Sequence, residues 1–234
     1  METKYASSIV TATAKARQEA STVFLAKVFN WMAIGLGMTG LVAYMAASFG
    51  LTQSIVSTPL YIVLILAELG LVFYLSARID KIQPATATGL FFGYAFLNGL
   101  TLSVIFLKYT GTSIVGTFLI TSAMFGAMSV YGLVTKRDLS GLGSFMFMGL
   151  IGILIASIVN IFLVSSVLHW AISLIGVIVF VGLTAYDVQK IKMMGDEGIM
   201  GQGEGAIRKG AIIGALALYL DFINLFLMLL RFRD

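Results

Sequence analysis

A chain of 234 residues that is 59% hydrophobic and only 11% charged is not a soluble domain, in which about a quarter of residues carry charge. Its net charge of +4 sits at the ends of apolar runs, with no basic stripe for a phosphate backbone to follow, so nucleic acid is not an expected partner. With no cysteine and a single histidine, His169, disulfides, thiolate catalysis and histidine- or cysteine-rich metal sites are excluded together.

Residues 1–22 are polar and alanine-rich and lack the apolar core and cleavage site of a signal peptide, so they are expected to be a cytoplasmic tail, partly helical or disordered. From residue 23 to 234 the chain reads as one transmembrane domain. Apolar runs long enough to cross a bilayer fall at about 23–49, 55–77, 84–107, 111–134, 142–166, 168–188 and 210–230. The expected class is an all-α integral membrane protein with seven transmembrane helices. An odd number of crossings puts the termini on opposite sides. With the N-terminus inside, twelve of the 15 basic residues are cytoplasmic and only Lys108, Arg231 and Arg233 lie outside. Small-xxx-small spacing at Gly89/Gly93 and Gly210/Gly214, with Gly35, Gly37 and Gly40, suggests closely packed helices. The inner connection at 193–205, MMGDEGIMGQGEG, is read as a flexible hinge. It satisfies neither a phosphate-loop pattern nor EF-hand spacing.

Three acids fall within the apolar runs. Asp221 is near the middle of the last one, roughly 15 Å from either surface. Glu68 is central in the second, and Asp187 is near the cytoplasmic end of the sixth. An acid at such depth must be neutral, paired or hydrated, which makes each a functional candidate. Asn98, Asn160, Tyr219 and Asn224 are supporting polar candidates, with interhelical hydrogen bonding as their plainer role. Asn224 shares a helical face with Asp221. Tyr186 is expected to face away from Asp187. By rise per residue, Asp187 and Asp221 differ in depth by very roughly 10 Å.

The run LYLDFINLFLMLLRF at 218–232, Tyr186–Asp187–Val188–Gln189 and Phe96–Leu97–Asn98–Gly99–Leu100–Thr101 resemble the signature of the Bax inhibitor-1 family, and of a bacterial member. The resemblance implies six helices surrounding a central seventh, and a cation leak favouring Ca²⁺ that a pair of aspartates gates. Carried over, that pair is Asp187 and Asp221, Glu68 is the second-helix acid that joins them in the pH-sensing ion pathway, and Arg78 is a basic latch to Asp187. With the short connections, the resemblance also implies a bacterial inner membrane as location; the basic residues are what put the N-terminus in the cytoplasm and the C-terminus outside.

Two carboxyls meeting in a low-dielectric site cannot both ionise cheaply, so they are expected to share a proton and sense pH. Ca²⁺ takes six to eight oxygens, so Asp187 and Asp221 form a weak, transient Ca²⁺ site rather than hold a resident cofactor. Protonation opposes itself here, weakening Ca²⁺ binding while loosening the Arg78 latch. The expected partners are the lipid bilayer, Ca²⁺, protons and other membrane proteins. Two further readings stay open: a membrane adaptor that modulates proteins such as a membrane-anchored protease, and a proton-coupled small-solute transporter. No nucleophile–base pair is evident, and the chain is not expected to be an enzyme.

Overall fold

The computed structural model describes the backbone of residues 2–233 and the side chains of residue 15 and residues 17–233. Met1 and Asp234, and in the tail expected to be cytoplasmic the side chain of Lys4, lie outside the described residues. Every regular element among the described residues is helical. They are α1 (Glu2–Ser48), α2 (Leu51–Val56), α3 (Leu60–Arg78), α4 (Pro84–Leu102), α5 (Ile105–Lys108), α6 (Gly111–Val134), α7 (Ser140–Leu163), α8 (Ser166–Asp196) and α9 (Glu204–Leu230). Among the described residues, seven stretches are long and apolar enough to cross a membrane, the α4 and α5 segments together forming the third.

Local chemistry sets several of these boundaries. Pro84, whose ring fixes φ and lacks an N–H, opens α4 behind an extended Gln83. The hydroxyls of Thr110 and Ser165 accept from the N–H groups of Ser113 and Leu168, capping α6 and α8. The helix that carries the first span is unbroken from Glu2, so no change of backbone marks residue 22.

The apolar residues of α9 are spread over every side of the helix rather than gathered on one face, the pattern of a helix enclosed by others. It is the most buried of the seven spans. Helices α1, α4, α6 and α8 pack directly on it, while α3 rests on α4 and α7 on α8 to complete the ring. The expected arrangement of six helices around a central C-terminal one is therefore the arrangement found. Large apolar side chains such as Leu66, Phe73, Phe145 and Phe162 point outward, as a hydrocarbon surround requires.

Close packing of backbones falls only partly where the small-residue spacing placed it. A Cβ at Gly210 would strike Ile199 and one at Gly214 would crowd Val28 and Ile191, but Gly89 and Gly93 have no neighbour within 4 Å. Spacing reports that a face is smooth, not that a partner lies on it.

The connection read as a hinge is mostly ordered secondary structure. α8 continues to Asp196, a 3₁₀ turn covers Ile199–Gly201, and α9 begins at Glu204. Gly198 and Gly203 have φ of 91° and 88°, a region that side chains disfavour. These two reversals let Ile199 fold back onto the core.

Candidate functional site

The position of the site follows from the register of α8 against α9. Gly214 faces Ile191, and Gly176 faces Met228, so Asp187 lies level with residues 217–218. Asp221 is then three to four residues further along, about 5 Å rather than 10 Å. The remaining offset closes through side-chain direction. Every Cα–Cβ bond leans toward its own helix N-terminus. In this antiparallel pair the two leanings converge, and the carboxyls of Asp187 and Asp221 come within hydrogen-bonding reach.

Asp221 is buried and Asp187 half-buried. Oδ2 of Asp221 has no hydrogen-bond donor among the described residues. Two carboxylates have no hydrogen to share, so the bond joining them exists only when the pair itself carries a proton. The cation whose charge acts on Asp187 is Lys190, one turn on in α8.

The pair sits in a cleft of about 700 Å³ between α3 and α7, with α8 and α9 as its floor. Ser76, Ser144, Tyr186, Lys190 and Asn224 contribute its polar lining, and Phe147 and Phe180 part of its apolar wall. Tyr186 was expected to face elsewhere. Instead it shares the cleft with Asp187, its ring laid against Gly143 and Lys190 Nζ 6.0 Å from its centroid. Asn224 also lines the cleft, with its Nδ2 donating to Leu220 O at 2.8 Å.

Other candidates lie elsewhere. Arg78 is exposed at the end of α3, and among the described residues it makes no ion pair with Asp187. Asn160 turns its Oδ1 to Ser165 N at 3.0 Å, closing the end of α7. It lines a separate cavity with Ser157, His169 and Arg231.

Tyr219 and Glu68 belong to a second buried polar cluster. Two residues before Asp221, Tyr219 projects about 200° away around the helix. Its hydroxyl donates to Asn98 Oδ1 at 2.9 Å and lies 2.7 Å from Thr39 Oγ1. Glu68, also buried, accepts from Asn98 Nδ2 at 3.1 Å and from Thr101 Oγ1 at 2.7 Å. Thr101 and Thr39 were not singled out from the sequence. Thr101 carried a signal, being three residues after Asn98 and on its face. Thr39, in an apolar run, carried none.

The family model described as "Inhibitor of apoptosis-promoting Bax1" matches residues 21–233, nearly the whole described chain and both polar clusters. The chain belongs to the Bax inhibitor-1 family. Among its relatives in that family is the inner membrane protein YbhL of Escherichia coli (strain K12), 54% identical over 210 residues, which are 89% of each chain. A Borreliella burgdorferi protein is 48% identical over 212 residues, 89% of this chain and 90% of its own. An uncharacterized membrane protein of Streptococcus pyogenes is 42% identical over 214 residues, again 89% and 90%. In this Bax inhibitor-1 family member, then, the membrane-depth acids divide into a cleft pair, Asp187 and Asp221, and a separately bonded Glu68.

Proposed function

We propose that this protein is a pH-sensitive cation leak that passes Ca²⁺ through the cleft at Asp187 and Asp221. The observation that carries the reading is the approach of the two carboxyls at membrane depth, at the floor of a cleft large enough for water. Water there hydrates the ion, and the four carboxylate oxygens supply part of the six to eight that Ca²⁺ takes. Among the described residues no cluster of three or more acids or histidines exists to trap a metal. Weak binding of this kind lets an ion leave again, as conduction needs.

The proton and Ca²⁺ compete for the same oxygens. Ca²⁺ binding displaces the shared proton, so Ca²⁺ affinity falls as pH falls. Arg78, exposed at the end of α3, takes no part in this reading. The location proposed is a bacterial inner membrane, supported by the likeness to the Escherichia coli inner membrane protein. The distribution of basic residues supports a cytoplasmic N-terminus and an outside C-terminus.

Purified protein in liposomes loaded with Ca²⁺ and a fluorescent indicator tests the proposal. The wild type should release Ca²⁺ with a pH-dependent rate, and Asp187→Asn and Asp221→Asn should each flatten that dependence. Unchanged rate and pH response in both variants would falsify the mechanism. No flux from the pure wild type would favour the adaptor reading.

A further inference from the structure

We propose that the cavity behind the α7–α8 turn binds a phosphate group, that of an anionic phospholipid. The cavity holds about 320 Å³ and is lined by Ser157, Asn160 and Ile161 of α7, His169 and Ile172 of α8, and Arg231 at the end of α9. It shares no residue with the acid cleft, so the inference stands apart from the Ca²⁺ reading.

The polar groups of the cavity are donors. Val164 turns the chain back at φ 47°, and the Ser165 N–H beyond it is satisfied by Asn160 Oδ1. The oxygen of the Asn160 amide is thereby engaged, which leaves its two N–H bonds to offer. Among the described residues the Ser157 hydroxyl and the His169 ring make no hydrogen bond, and each has a hydrogen to give. Arg231 brings the charge. Its guanidinium has five N–H donors, so a phosphate adds to the contacts it already makes. Among the described residues no acid lines the cavity. Donors and a cation without an acid select an anion, and the planar fork of arginine suits two phosphate oxygens at once.

The surroundings choose the source of the phosphate. Asn160, His169 and Arg231 each lie within about a turn of a helix end, the level at which headgroups meet a spanning helix. The turn that covers them is apolar and bare: Phe162, Leu163, Val164 and Val167 are 64–81% exposed. Such a surface belongs against lipid rather than water. Next to Arg231, Phe232 packs edge-on to Trp170 with ring centroids 6.3 Å apart, an aromatic pair of the kind that sits at a membrane interface. The cations Lys108, Arg231 and Arg233 stand at this end of the bundle, and among the described residues no acid does. That excess repels the cationic group of a zwitterionic headgroup and favours an anionic one.

The protein, purified in detergent, tests this by native mass spectrometry and thermal melting with phosphatidylglycerol and phosphatidylcholine of equal chain length. The wild type should retain one phosphatidylglycerol in preference to phosphatidylcholine and melt higher with it. Arg231→Gln should weaken that retention by about fivefold, the worth of one basic residue at an anionic surface. Arg233→Gln removes a cation at the same end that does not line the cavity, and should leave retention unchanged. His169→Phe should also weaken retention, and His169→Gln, which still donates, should keep most of it. This second pair carries the test alone if Arg231→Gln does not fold. Equal retention of the two lipids, equal loss in Arg231→Gln and Arg233→Gln, or a His169→Phe protein that binds like wild type would each overturn the proposal. So would displacement of the lipid by glycerol phosphate or inorganic phosphate, which would make the site one for a soluble anion.

Discussion

Gly132 of α6 lies directly on the carbonyl oxygen of Ala185 in α8, so that a Cβ at 132 has no room. The contact is with backbone, which cannot rotate aside, and Ala185 is two residues before Asp187. Gly132 therefore helps to fix the height at which α8 presents its carboxyl.

Gly132→Ala is expected to destabilise the protein by about 1–3 kcal/mol, the usual cost of forcing a methyl group into a packed contact. Thermal unfolding in detergent checks this against Gly126→Ala, a site with no neighbour within 4 Å. The control should melt no lower than wild type. Equal melting of the two variants would sink the account.

Gln189 clamps the turn between α6 and α7. Its Nε2 donates to Arg137 O and its Oε1 accepts from Leu139 N, each at 2.8 Å. Gln189→Leu leaves the buried Leu139 N–H without a partner, a loss of about 1–2 kcal/mol, or roughly 5–30-fold in local opening. Lys136 and Arg137 lie in that turn, so trypsin should cut the variant there correspondingly faster. A cutting rate equal to wild type would show that the clamp contributes nothing.

Asp138 lies between spans and in water. Hydrogen bonds from Ser140, one from its hydroxyl and one from its N–H at 2.9 Å, hold the Asp138 carboxyl below its ordinary value. The stabilisation belongs to the charged form. It is fully present above the unfolded-state value of about 3.9 and is lost as pH falls through the depressed one. Carboxyl ¹³C titration should show a midpoint below that of a free aspartate, and Ser140→Ala should raise it.

The proposed orientation is open to labelling because any introduced cysteine is unique. Arg137→Cys, in the α6–α7 turn, should react with an impermeant maleimide in inverted vesicles and be silent in spheroplasts. Thr112→Cys, at the start of α6, should do the reverse. The opposite pattern would invert the topology.

How much of this was legible in the sequence depends on the length scale of each feature. Seven spans were readable because apolar runs of bilayer length are a strong signal. The seventh as the central helix came from family likeness, and the spread of its apolar residues over every side accounts for it physically. The meeting of Asp187 and Asp221 was expected, but its geometry was not. Hydropathy marks where a helix leaves apolar surroundings, not where it stops, and α8 runs on to Asp196 beyond the apolar run that closes at residue 188. That extension and the tight turn at Ile199–Gly201 set the register, and no periodicity reports register. Tyr219 was named only as a supporting polar candidate, and a two-residue step from Asp221 turns its side chain to the opposite side of the helix. Arg78 was assigned through likeness alone, and its placement at an exposed helix end is governed by packing that a motif does not encode.

Tyr219 and Asp221 stand back to back on one turn of α9, and that turn works like an axle. A rotation large enough to swing Asp221 clear of Asp187 would pull the phenol off Asn98 in the same stroke and unseat the amide that faces Glu68. Two acids on distant helices would thereby feel a single mechanical event, though no hydrogen bond runs between them.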